Sequence, residues 1–109
     1  MKLLIIEDDE ITREMIVKTL KNETDEIFDF GNPVEALKSI KKEKPDFIIL
    51  DIILPEIDGF GICQIIRKYP DSYGNPFILM LTSKNEEADM IKGLEFGADD
   101  YIKKPFSYK

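Results

Sequence analysis

Chemistry in this chain has to come from carboxylates, lysines and hydroxyls, because it contains no histidine and one cysteine, Cys63. Those absences exclude a zinc site of the usual ligands, a Ser-His-Asp triad and a Cys-His pair. What remains stands in four places: Glu7-Asp8-Asp9, Asp51, Thr82-Ser83 and Lys103-Lys104-Pro105. Each follows a short apolar run, where a buried strand gives way to a loop. Taken singly, an acid there is a solvated loop residue, Thr82 caps a helix and Lys104 is a surface lysine. Taken together they mean more. Carboxylates converging from neighbouring strands repel one another and cost stability unless a cation neutralises them, and oxygen-only ligation favours Mg²⁺ or a similar hard ion.

The elements that must position these residues alternate along the chain. Leu3 to Ile6, Phe47 to Leu50 and Phe77 to Leu81 are continuous apolar runs, as in strands buried on both faces of a parallel sheet. Ile27 to Phe30 and Tyr101-Ile102 are partly alternating or very short, which suits the edges. Between them Ile11/Met15, Ile16/Leu20, Val34/Leu37/Ile40 and Ala88/Ile91/Leu94 mark helical stripes, and Asn32-Pro33-Val34-Glu35 is a strong helix start. Asp58-Gly59 is a weaker one. Short βα connections and right-handed crossovers predict an α/β fold. Its sheet is doubly wound, five-stranded and parallel, in the flavodoxin-like order 2-1-3-4-5, which buries strands 1, 3 and 4. After Pro105 only Phe106 to Lys109 follow, so the final helix of such a fold is expected to be missing from this segment. Ligands of these sheets bind beyond the carboxyl ends of the strands, where strand order reverses. That places Glu7-Asp8-Asp9 beside Asp51.

Length and charge narrow the functions further. With 109 residues the chain fits one domain, and its 22 acids against 15 bases give a net charge of −7, which repels a nucleic-acid backbone. Direct DNA or RNA binding by this segment is not expected. No apolar stretch is long enough to span a bilayer, the amino terminus lacks a signal-peptide core, and a lone cysteine forms no internal disulfide. A cytoplasmic protein without a membrane partner is expected.

These motifs, in this order, resemble the receiver domain of two-component response regulators over residues 1 to 109. Glu7-Asp8-Asp9 is similar to that family's acidic cluster, Asp51 through Pro55 to Asp58-Gly59 to its phosphoacceptor turn, and Thr82-Ser83 to its hydroxyl and small residue. Gly97-Ala98-Asp99-Asp100-Tyr101-Ile102-Lys103-Lys104-Pro105-Phe106 resembles its closing motif. The resemblance implies that Asp51 accepts a phosphoryl group from a sensor histidine kinase or a small acyl phosphate. It implies Mg²⁺ ligation by Asp8, Asp51 and the Ile53 carbonyl, with Glu7 and Asp9 acting through water. Lys104 would pair with a phosphoryl oxygen, Thr82 would donate to another, and Tyr101 would turn inward as Thr82 moves, so that Thr82 and Tyr101 form the switch. The Lys104-Pro105 bond would be cis. A homodimer would use the face of the fourth helix and strand 5, with Lys92, Glu95 and Asp100. On this reading the chain is a signalling switch rather than an enzyme. Any effector domain lies outside these residues, and the output is transcription or, as the alternative, a phosphorylation-dependent interaction without a DNA-binding output.

Three other readings fit less well. A flavodoxin relative needs a hydroxyl- and glycine-rich phosphate loop after strand 1, where this chain has Glu7-Asp8-Asp9. An aspartyl-phosphate phosphatase of the haloacid dehalogenase type needs an acid two residues beyond its nucleophile, where this chain has Ile53. An interaction module that has lost the site would not need Asp8, Asp51, Thr82 and Lys104 together.

Overall fold

Strands form where apolar residues run without interruption. The computed structural model describes residues 1–82 and 95–103. It places β1 (Lys2–Ile6), β3 (Phe47–Asp51) and β4 (Phe77–Thr82) at the centre of a five-stranded sheet, with β2 (Glu26–Phe30) and β5 (Asp100–Lys103) at its edges. The order is β2-β1-β3-β4-β5 and every pairing is parallel. Successive side chains alternate between faces, so continuous apolar runs feed two cores. Leu4, Ile6, Ile48, Leu50, Ile78 and Met80 join the core that also holds Ala36, Ile40, Ile62 and Ile66. Leu3, Ile5, Ile49 and Leu81 join the other, with Ile16. Each fully buried Ile or Leu contributes about 1.5–3 kcal/mol.

Three helices follow the carboxyl ends of β1, β2 and β3: α1 (Glu10–Leu20), α2 (Pro33–Glu43) and α3 (Gly59–Lys68). Each starts on a side-chain cap. Asp9 accepts from the Thr12 amide, Asn32 from the Val34 and Glu35 amides, and Asp58 from the Gly61 amide. The predicted stripes need correction at their edges. Ile11, Met15 and Val34 face outward, Ile11 being 70% exposed. The buried face of α1 is instead Ile16, flanked by Val17 and Leu20. At about 100° per residue Ile11 and Met15 lie well round the helix from it. In α2 the buried residues are Pro33, Ala36 and Ile40. A one-turn helix at Pro70–Tyr73, which the apolar pattern does not announce, buries Tyr73.

Among the described residues, α1 is the helix that packs on the Leu3, Ile5, Ile49 and Leu81 core. A recess of about 240 Å³ opens there, lined by Leu3, Leu20, Phe47, Ile49 and Leu79. The stripe Ala88/Ile91/Leu94 lies outside the described residues, as do residues 104–109, where a final helix was not expected. No helix among the described residues is long and apolar enough to cross a membrane.

Candidate functional site

The β1–β3 pairing sets the site. Ile6 lies opposite Leu50, so the next residues of the two strands, Glu7 and Asp51, leave the sheet side by side. Ligand atoms of Glu7, Asp8 and Asp51 come within 4.8 Å of one another. Glu7 and Asp51 are buried and Asp8 is exposed, so the triad opens to solvent on one side. Three hard oxygen donors at that separation suit a divalent cation of the Mg²⁺ class, which keeps several waters and takes one or two carboxylates directly. The residues present fit such an ion.

Local backbone choices bring the loop after β3 under the triad. The Gly59 amide donates to the Ile52 carbonyl at 2.7 Å. A Cβ on Gly59 would stand 2.4 Å from the Asp51 carbonyl oxygen and 2.8 Å from the Ile52 Cα. Only glycine lets α3 begin this close to the end of β3. The intervening turn includes Glu56 at φ 67°, a left-handed conformation uncommon for a residue with a Cβ. The Ile53 amide points back at Asp51 Oδ1, 3.4 Å away, and the Ile53 side chain is 56% exposed.

Thr82 closes the neighbouring strand. Asp51 lies opposite Leu81 in the β3–β4 ladder, and the Ile52 amide donates to the Leu81 carbonyl at 3.1 Å. Thr82 therefore follows one residue beyond the level of Asp51, and its side chain is buried. On the other side Thr82 pairs with Lys103 of β5. Tyr101 is half-buried and packs against the core that contains Met80, its neighbour in the ladder.

Not every predicted site residue joins this cluster. Asp9 stands outside the triad, where its carboxylate accepts from both the amide and the hydroxyl of Thr12 and so serves as the cap of α1. Lys104, Ser83, Lys92 and the Lys104-Pro105 bond lie outside the described residues. Glu95 and Asp100 are exposed. Sequence reasoning missed Arg13. Its Nη1 donates to the Glu7 carbonyl at 2.9 Å, and its Nε to Asp29 at 3.2 Å. The signal was faint: a lone arginine early in α1, with one partner on β2 and one just past β1.

Comparison with known proteins agrees with this geometry. The family model described as response regulator receiver domain matches residues 3–109. The alkaline phosphatase synthesis transcriptional regulatory protein PhoP of Bacillus subtilis is 41% identical over 106 residues, 97% of this chain and 43% of that protein. The chain thus spans less than half the length of the curated relatives it matches. Among solved structures, the chemotaxis protein CheY4 of Vibrio cholerae superposes with a TM-score of 0.89 at 30% identity, covering 98% of this chain and 88% of that one. A response regulator of Burkholderia pseudomallei superposes with a TM-score of 0.85 at 27% identity, covering 98% of this chain and 61% of that one. It was crystallised with a phosphorylated aspartic acid, a calcium ion and citrate. With its sheet order, its acidic triad and a family match across nearly its whole length, this chain belongs to the response regulator receiver domain family.

Proposed function

We propose that Asp51 accepts a phosphoryl group from a sensor histidine kinase or an acyl phosphate, and that the modified domain controls an output, transcription in the first instance. The observation that carries this reading is the meeting of buried Asp51 and Glu7 with exposed Asp8 within 4.8 Å, at the carboxyl ends of adjacent strands. An Asp51 carboxylate oxygen attacks phosphorus in line, the P–N bond of phosphohistidine or the P–O bond of an acyl phosphate breaks, and an aspartyl phosphate forms. Asp8 and Asp51 would hold Mg²⁺ directly, with the Ile53 carbonyl, while Glu7 acts through water; Asp9 is a weaker candidate because it caps α1. Mg²⁺, when bound, supplies neutralisation of the equatorial phosphoryl charge. The chain's own residues do the rest. Thr82 offers a hydroxyl to one phosphoryl oxygen, Lys104 offers a cation to another, and Tyr101 follows Thr82 as the readout.

The phosphorylated aspartic acid and calcium ion of the Burkholderia relative support this assignment, and the name of the Bacillus relative supports a transcriptional output. The effector would lie outside residues 1–109, the setting would be cytoplasmic, and a homodimer would use the β5 face with Glu95 and Asp100. Incubation with Mg²⁺ and acetyl phosphate followed by intact mass should add one phosphoryl group. Asp51→Asn keeps the shape and should abolish the adduct; an undiminished adduct would move the site elsewhere.

A further inference from the structure

The carboxyl end of β1 is clamped in a way the site's own chemistry does not require. The Glu7 amide donates to the Phe30 carbonyl at the end of β2, 3.0 Å away, and the Glu7 carbonyl accepts from Arg13 Nη1 at 2.9 Å. Arg13 in turn grips Asp29 of β2 through Nε. The Glu7 carbonyl and the Asp8 amide share one peptide plane. Holding that oxygen therefore sets the direction in which the chain leaves Glu7 and enters Asp8. We infer that Arg13 is a positioning residue for the metal site: it aims Asp8, and does so through the backbone of Glu7 rather than by touching the ion. This inference rests on the metal reading proposed above.

Gly31 completes the device from the other side. A Cβ there would stand 2.6 Å from Arg13 Nη1. No positive φ is involved, since the left-handed glycines are Gly74 and Gly97. The missing side chain at Gly31 thus makes room for the guanidinium, and Gly31→Ala should dislodge it without altering any charge.

Charge and geometry predict opposite signs, which makes the inference testable. On charge alone, deleting a cation near the carboxylates would tighten Mg²⁺. Loss of aim would weaken it, by about tenfold for a supporting residue of this kind. The test is calorimetric titration of Mg²⁺ into the protein and its Arg13→Ala, Arg13→Lys, Gly31→Ala and Arg13→Ala/Gly31→Ala variants, with melting temperatures measured alongside. Arg13→Ala and Gly31→Ala should each weaken Mg²⁺ about tenfold, the double variant should be no weaker than Arg13→Ala, and Arg13→Lys should recover part of the affinity. Gly31→Ala keeps the arginine and so carries the test even where Arg13→Ala melts early. Unchanged or tighter binding in both single variants, or additive losses in the double variant, would overturn the role of Arg13. A parent protein that does not bind Mg²⁺ would overturn the metal reading itself, and this inference with it.

Discussion

The two ends of the sheet handle carboxylates in opposite ways. At the amino ends of the strands, Asp46, Glu43 and Asp99 each have a donor. Asp46 accepts from the Lys2 amide at 2.8 Å, Lys2 Nζ reaches Glu43 at 3.3 Å, and Asp99 accepts from both the Ile78 amide and Arg67. At the carboxyl ends the ligand atoms of Glu7, Asp8 and Asp51 converge within 4.8 Å of one another. The parallel sheet explains the difference. Its amino edge presents backbone N–H groups, which carboxylates satisfy, whereas its carboxyl edge presents carbonyl oxygens, which repel them. Acids at the first edge therefore help hold the fold together, while the triad at the second is an arrangement that a bound cation would neutralise. The Glu7 carbonyl at that edge accepts from the Arg13 guanidinium.

The comparison breaks most visibly at Arg67. From α3 it donates to the Gly97 and Pro76 carbonyls at 2.8 and 2.7 Å, to Asn75 at 3.1 Å and to Asp99 at 2.7 Å. Arg67→Ala leaves two carbonyls and a carboxylate without that partner. It should cost about 3 kcal/mol, or about 12 °C in melting temperature, while leaving Mg²⁺ affinity at the parent's value. A loss of Mg²⁺ affinity on the same scale would show that the two ends are not independent.

Asp8→Asn should act in the other direction. Removing one of three mutually repelling charges should stabilise the metal-free protein in EDTA by about 1 kcal/mol, raising the melting temperature by about 4 °C. The same variant should lose the stabilisation that Mg²⁺ confers on the parent, since an ion bound only to the folded state raises stability with its concentration. A destabilised Asp8→Asn would mean that Asp8 serves the fold after all.

The smallest expected effect lies at Cys63, buried in α3 beside the amino-end network. Burial pushes its thiol up to about 11, with Asp99 adding to the rise and Arg67 opposing it. A thiol held above its ordinary value stabilises the fold below that value and loses the contribution as pH rises toward about 11. Melts should therefore show a slight loss of stability between pH 9 and pH 10 that Cys63→Ala removes. Labelling at pH 8 should find the thiol unreactive until the protein unfolds.

Much of this molecule is legible before any coordinates. Continuous apolar runs at Leu3–Ile6, Phe47–Leu50 and Phe77–Leu81 demand burial on both faces, and only the centre of a parallel sheet provides it. Asn32-Pro33 and Asp58-Gly59 mark helix starts because caps and glycine act locally. The acidic triad follows from strand order alone. Helix faces were less legible: a helix reads as amphipathic from several apolar residues, but which of them turn inward depends on the sheet it meets, so Ile11, Met15 and Val34 ended outside. Asp9 looked like one more acid of the cluster, yet its carboxylate is occupied at the start of α1.

What the sequence by itself determined is the set of local and periodic choices: which runs become strands, where helices start, and which acids, hydroxyls and lysines end the strands. What only the tertiary structure decided is how long side chains cross between elements. Arg13 reaches from α1 to the Glu7 backbone just past β1 and to Asp29 of β2, and Arg67 ties α3 to the amino ends of β4 and β5. A guanidinium offers five donors at the end of a flexible stem, so its partners are set by what the fold brings within reach and not by any neighbour in the chain.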